Sequence, residues 1–349
     1  METKDLEFAL KLAQPCLLGV DFIPVLSHYC FDKGVFYAYD GVSAIIVTCE
    51  TDLSCAVRGD TLLGLVSLAG EKLSLKQAKD KVEVVSGNSR AELPCLLPKD
   101  FLLQLPEQDQ LCQFFLTEEL VKGLALCSSG VGQDPRRPEF TGVTLQLGKE
   151  PIFYSSDNTS ITKYTGTEAV GEKQITVILP KSICDQILAT ATVLEAKLNK
   201  VKITLTKEFV IAQFDDTIPV VTIIGKLLTV TPAKFEQIIA SCKSNKPKFE
   251  IPEGFDKAVA KVVLVTNKEL QKDCVLETNG EKFLVRGEGS LGKAETKFDT
   301  DHLHLPGVLV SCSPEHLTKM LTDVTHMVVD EKAVLMQGNK LSYYVATRA

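Results

Sequence analysis

The sequence has no CxxC pair and no His/Cys cluster at zinc-ligand spacing, although it carries 11 cysteines. That absence excludes zinc-ribbon and thioredoxin-type chemistry and leaves the thiols to be explained otherwise. Most of them sit beside apolar residues, as in Leu124-Ala-Leu-Cys127, where small buried thiols are expected, so a reducing, cytoplasmic setting is the expectation. No apolar run reaches membrane-spanning length, and the opening Met1-Glu-Thr-Lys-Asp-Leu-Glu lacks the basic-then-apolar order of a signal peptide; neither membrane association nor secretion is expected. Positive charge is in deficit, 38 Lys and Arg against 45 Asp and Glu for a formal charge of -7. This argues against a protein that coats nucleic acid, yet permits a positive surface enclosed by a negative one.

A catalytic apparatus is also missing. His302 and His304 in Asp301-His-Leu-His304 have no third ligand at a forced spacing. Gly287-Glu-Gly-Ser-Leu-Gly292 lacks the Lys-Ser/Thr ending of a phosphate-binding loop and reads as a β-turn, as does Gly130-Val-Gly132. Asp215-Asp216 and Glu118-Glu119 have no surroundings that would make either a catalytic dyad. No enzyme, metal or cofactor is expected.

What is present is a chain of 349 residues, 45% hydrophobic, long enough for two or three cores. Apolar spacing predicts a helix at 6–17, burying Leu6, Ala9, Leu10, Ala13 and Leu17 with Lys4 and Lys11 on the other side. Strands follow at 34–39, 43–49 and 52–57, then a helix at 62–68 and strands at 81–85 and 89–93. The order returns with a helix at 117–128, strands at 141–147, 151–155, 160–164 and 174–179, a helix at 182–194, and strands at 200–205 and 209–214. It returns again with a helix at 255–266, strands at 274–278, 282–288 and 294–298, a helix at 314–321, and strands at 324–329, 333–337 and 341–346. Such recurrence of element order predicts three repeated domains, at 1–112, 113–235 and 236–349, each with two helices packed on antiparallel sheets. The joins fall near 110–115 and 225–250, where Pro106-Glu-Gln-Asp109 and Lys243-Ser-Asn-Lys-Pro-Lys248 interrupt the apolar pattern. Runs of strands between helices make this α+β rather than a parallel α/β fold. Edge strands at the joins would be satisfied by pairing with one another, which favours an arc or ring.

Several segments resemble the bacterial DNA polymerase III beta subunit family, the replication sliding clamps. Phe22-Ile-Pro-Val-Leu-Ser27 follows a first helix like that family's, and Lys81-Val-Glu-Val-Val-Ser-Gly-Asn-Ser-Arg-Ala-Glu-Leu-Pro94 resembles its strand-turn-strand passage. Asp134-Pro-Arg-Arg-Pro-Glu-Phe-Thr-Gly-Val-Thr-Leu145 resembles the Arg-Pro-x-Leu-x-Gly-Val-x-Leu signature. Tyr154-Ser-Ser-Asp-Asn-Thr-Ser-Ile161 resembles the Ala-Thr-Asp-Gly-His-Arg-Leu turn only at Asp157, and Leu341-Ser-Tyr-Tyr-Val-Ala-Thr-Arg-Ala349 resembles the terminal strand and tail. These departures suggest a divergent bacteriophage member.

The resemblance implies a ring-forming DNA clamp fold: a head-to-tail homodimer around double-stranded DNA, read without sequence preference, that tethers a DNA polymerase and is opened by a clamp loader. Candidate DNA-facing residues are Lys257 and Lys261, opposite Val259, Val262 and Val263 on one helix, with Lys4, Lys11, Lys122, Lys181 and Lys319 on other helices and Arg136 and Arg137 in a turn. The family's partner-peptide groove carries over to Asp157, Thr159, Ser160 and Ile161 on one wall and Val345, Ala346, Thr347 and Arg348 on the other, with Leu227 or Leu228 near the floor. Two other readings stay open: a small-substrate enzyme with an interdomain site, and a structural ring that does not bind DNA.

Overall fold

The computed structural model describes residues 2–19, 23–100, 109–241, 248–269, 272–278, 282–300 and 303–347. The chain divides into two compact units, Met1–Glu118 with Asp185–Leu227, and Glu119–Cys184 with Leu228–Ala349. Each is assembled from two separated stretches of sequence.

In chain order the first elements are α1 (Thr3–Ala13), β1 (His28–Asp32), β2 (Val35–Tyr39), β3 (Ser43–Thr48), β4 (Ser54–Arg58), α2 (Gly59–Ser67), β5 (Ser74–Ala78), β6 (Lys81–Ser86), β7 (Ser89–Leu96) and β8 (Gln110–Phe115). Then come α3 (Glu118–Ser129), β9 (Gly142–Leu147), β10 (Ile152–Ser156), β11 (Ser160–Thr165), β12 (Ile175–Pro180), α4 (Lys181–Val193), β13 (Val201–Thr206), β14 (Phe209–Phe214) and β15 (Val221–Lys226). The last are α5 (Phe235–Ser241), β16 (Phe249–Glu250), α6 (Phe255–Thr266), β17 (Cys274–Thr278), β18 (Lys282–Gly289), β19 (Gly292–Asp299), β20 (Val308–Cys312), α7 (Pro314–Met320), β21 (His326–Asp330), β22 (Ala333–Gln337) and β23 (Leu341–Ala346).

Unit one is built on an 11-stranded sheet in the order β5-β6-β7-β4-β1-β2-β3-β15-β14-β13-β8. Its helix α1 buries Leu6, Ala9, Leu10 and Ala13, the spacing of one helical face. The Tyr29 hydroxyl, fully enclosed, donates to the Leu10 carbonyl at 2.8 Å, which ties that helix to β1. Unit two holds an 8-stranded sheet, β12-β9-β10-β11-β23-β22-β21-β16, and a 4-stranded one, β19-β18-β17-β20. Neighbouring strands are antiparallel throughout the described ladders, so the α+β class expected from the strand runs is the one observed.

In each unit, strand pairing joins distant parts of the sequence, and in unit one β8 also pairs with β13 across its two stretches. In unit one β3 pairs with β15, with Ile45 opposite Ile223 and Val47 opposite Val221. In unit two β11 pairs with β23, with Ser160 opposite Val345 and Ile161 opposite Tyr344. The sequence pattern led to an expectation of edge pairing in general but named neither of these partners. A common turn precedes both joining strands. Asp40 accepts from the backbone N–H groups of Val42 and Ser43 at 2.8 and 2.7 Å around Gly41, whose φ is 95°. Asp157 accepts from those of Thr159 and Ser160 at 3.0 and 2.7 Å around Asn158, with φ 78°. A short carboxylate followed by Gly or Asn, the residues most tolerant of left-handed backbone, builds the turn twice.

Six helices lie within a few residues of their expected places. The structure adds α5, inside the stretch expected to be a join, and strands β1, β5, β8, β15, β16 and β20 that the pattern missed. The glycine-rich stretch at 287–292 is the β18–β19 hairpin end, as expected of a turn.

Candidate functional site

The expected DNA-facing residues divide by what surrounds them. Lys257 and Lys261 project from α6 opposite buried Ala258, Val259 and Val262. With Lys4 on α1 and Lys319 on α7 they are exposed and have no ion-pair partner among the described residues. The others are engaged. Lys11 pairs with Glu7 one turn away at 2.7 Å, and Lys122 with Asp323. Arg136 grips Asp134 through two bonds of 3.0 Å, while Arg137 bonds Glu139 at 2.8 Å and stacks 4.5 Å over the Phe140 ring. Lys181 is half-buried at the start of α4, its backbone N–H bonded to the Thr141 carbonyl at 3.3 Å. A phosphate would therefore have to compete with carboxylates at Lys11, Lys122, Arg136 and Arg137, whereas Lys4, Lys257, Lys261 and Lys319 have no such competitor among the described residues.

The two walls of the expected peptide groove are brought together in unit two. Asp157 to Ile161 lie at the head of β11, and Val345 to Thr347 end the neighbouring β23; the Ala346 N–H donates to the Thr159 carbonyl at 2.9 Å. Asp157 accepts four bonds from Thr159 and Ser160, two from backbone and two from hydroxyls at 2.9 Å, and so fixes the turn. Within this set Ser160 and Val345 are buried, which leaves Thr159, Ala346 and Thr347 half-exposed. Arg348 lies outside the described residues, as does His302. Leu227 is buried in unit one; Leu228 is half-buried in unit two, its N–H bonded to the Ile178 carbonyl of β12 at 3.0 Å.

An element absent from the sequence reading covers the apolar side of these walls. Ile161 is 4% exposed in a cluster with Phe140, Tyr154, Phe235, Ile239, Leu335 and Tyr344, against which Ala346 packs. Phe235 and Ile239 come from α5. Phe235 stacks on Tyr154 with ring centres 5.1 Å apart and planes at 14°. The Tyr154 hydroxyl donates to Glu236 at 2.5 Å, and Lys163 pairs with the same carboxylate. Burial, then this bond to Glu236, push the Tyr154 hydroxyl far above its ordinary pKa. The signal available in the sequence was the i, i+4 spacing of Phe235 and Ile239.

A buried polar cluster in unit two also escaped the sequence reading. His316 on α7, 2% exposed, is bonded through Nδ1 to the Ser129 hydroxyl at 2.8 Å and through Nε2 to the Thr162 hydroxyl at 2.7 Å. Its ring meets Tyr343 edge-on at 5.0 Å. Gly130 makes room for it, since a Cβ there would stand 2.6 Å from Nε2. The imidazole thus fastens α3 and β11 to α7 and β23. Burial is the main cause of its depressed pKa of about 4, which Asp157 opposes and Lys319 reinforces, so the ring is neutral at pH 7.

No family model matches the chain, and no curated protein matches it by sequence. Solved structures do. A putative DNA polymerase III beta subunit from Eubacterium rectale superposes with a TM-score of 0.80 at 13% identity, over 99% of this chain and 98% of that one. The fold is that of the sliding clamps. The Pseudomonas aeruginosa sliding clamp bound to griselimycin gives 0.79 at 14% identity over 100% and 98% of the two chains. The Helicobacter pylori beta clamp bound to a DNA ligase peptide gives 0.78 at 16% identity over 100% and 99%. Clamp architecture thus extends over the whole chain, while few side chains are shared with these proteins. Among the described residues no helix is long and apolar enough to cross a membrane.

Proposed function

We propose that this chain is a subunit of a DNA sliding clamp, a non-enzymatic processivity factor that encircles duplex DNA and tethers the replicative polymerase. The observation that carries the reading is the full-length clamp fold, matched end to end by the Pseudomonas aeruginosa sliding clamp and the Helicobacter pylori beta clamp. It is supported by the two strand joints, β3–β15 and β11–β23, each entered through the same Asp-centred turn. On this reading the repeats are domains 1–112, 113–235 and 236–349, and two subunits close head to tail. A clamp loader opens the ring in the cytoplasm of a bacterium or of a phage-infected cell. Lys4, Lys257, Lys261 and Lys319 supply the weak, sequence-independent attraction to phosphate that sliding requires. Tethering needs no chemistry, because a closed ring raises the polymerase's effective concentration at the primer end.

The Helicobacter pylori clamp is described with a ligase peptide bound. By analogy the β11–β23 joint is assigned here to short apolar peptides of the polymerase and loader, with Thr159, Ala346 and Thr347 at the accessible rim.

The test is topological. Loaded on a nicked circular duplex, the protein should stay bound through a 1 M salt wash and be released when the circle is linearised, and it should lengthen the products of its cognate polymerase by about tenfold or more. A Lys257→Glu, Lys261→Glu variant should reduce retention and product length while folding normally. Release from circular and linear DNA at the same rate would sink the encirclement.

A further inference from the structure

Unit one contains a hollow of about 910 Å³ between α1, the end of β3 and the loop before β15. Its apolar wall is formed by Phe8 and Ala9 of α1, Leu73, Ile218 and Pro219. Two of these groups are unusually accessible: Phe8 is 36% exposed, and Ile218 stands 98% exposed at the rim. The charged groups on the rim are Glu2, Asp5 and Glu50 against one ammonium, Lys72. None of the three carboxylates has an ion-pair partner among the described residues. A second hollow of about 600 Å³ adjoins the first through Gly34 and Glu50, and adds Asp52 and Lys33 to its lining.

We propose that this track is a docking site for an extended peptide segment of a partner protein, carrying an aliphatic or aromatic anchor next to lysine or arginine. The apolar wall explains the anchor: a large side chain seated against Phe8 and Ile218 removes apolar surface of both partners from water. The unpaired carboxylates explain the basic residues, since they would gain opposite charges on docking and repel acidic segments. They equally repel nucleic acid. Two adjoining hollows that share Gly34 and Glu50 suit a chain laid along the surface better than a compact molecule held in one cavity. The site is separate from the β11–β23 joint and does not depend on whether the chain encircles DNA.

The test uses the full-length protein and a fluorescein-labelled decapeptide in which leucine and phenylalanine alternate with lysine. Two control peptides replace lysine with glutamate, or leucine and phenylalanine with serine. The basic apolar peptide should bind saturably, and each control should bind at least about tenfold more weakly. Ile218→Ser and Phe8→Ser alter accessible side chains, and circular dichroism verifies their folding; together they should weaken binding by about tenfold, and Glu50→Lys should lower the preference for lysine over glutamate. Equal binding of the serine peptide, or unchanged affinity in these variants, overturns the proposal. So does concentration-dependent self-association of the wild type that Ile218→Ser abolishes, which would make the track a contact between copies of the chain.

Discussion

Unit two should lose stability on mild acidification between about pH 6.5 and pH 4, and His316→Gln should remove that loss. The unfolded imidazole titrates near 6.5, whereas in the fold burial lowers the pKa to about 4. Within this window the unfolded state binds a proton that the folded state does not, so stability falls as pH falls. It is fully present above the unfolded value and gone below the folded one. A shift of this size corresponds to ~3 kcal/mol, and at 2% exposure solvent screening reduces it little. A carboxylate contribution comes in a lower window. At Glu119 burial works to raise the pKa, but bonds from Lys340, the backbone of Thr167 and Glu168 and the Thr167 hydroxyl outweigh it and hold it at about 2. Its stabilisation is present above pH 4.5 and is lost as pH falls through 2, so the two groups can be separated. Urea unfolding at pH 7 and pH 4.5 reads the first effect, by tyrosine fluorescence in a protein with no tryptophan. Wild type and His316→Gln curves that shift in parallel between these pH values would refute it.

Phe235→Ala should have a comparably large effect of a different kind. The ring is 3% exposed, stacks on Tyr154 and meets Phe140 at 6.1 Å, so its removal should destabilise unit two by about 3–5 kcal/mol. It should also uncover Ile161 and Ala346, which α5 covers. If apolar partner peptides enter at the β11–β23 joint, they compete with Phe235 for the same surface, and the variant should bind a peptide from its cognate polymerase about tenfold more tightly. Calorimetric titration below the variant's melting temperature separates the two effects. Weaker binding would mean that Phe235 is a wall of the site and not its cover.

How much could be read from sequence depended on the range of the interaction involved. Helices α1, α3, α4 and α6 each carry an apolar stripe at local spacing, and the burial of Leu6, Ala9, Leu10 and Ala13 followed directly. Strand β15 was missed because it lies between β14 and β3 and is buried along most of its length, so it lacks polar alternation. Strand β8, Gln110-Leu-Cys-Gln-Phe-Phe115, also lacks strict alternation and falls at a junction where Pro and polar residues pointed to a linker. The turn at Asp157 could be read from its residue types. Its pairing with β23 joins residues far apart in sequence and came only from family resemblance. The cover supplied by α5, and the His316 cluster, involve three or more elements meeting in space, which no local pattern encodes.

The β3–β15 joint also bears on how the protein is made. Strand β3 is complete once residue 48 has been translated, but its partner β15 begins only at residue 221. At ribosomal speeds this leaves the edge bearing Ile45 and Val47 uncovered for roughly 10–30 s. During that interval the nascent chain presents a hydrophobic strand margin able to pair with a neighbour on the same polysome, so synthesis in the cell should depend on chaperone shielding.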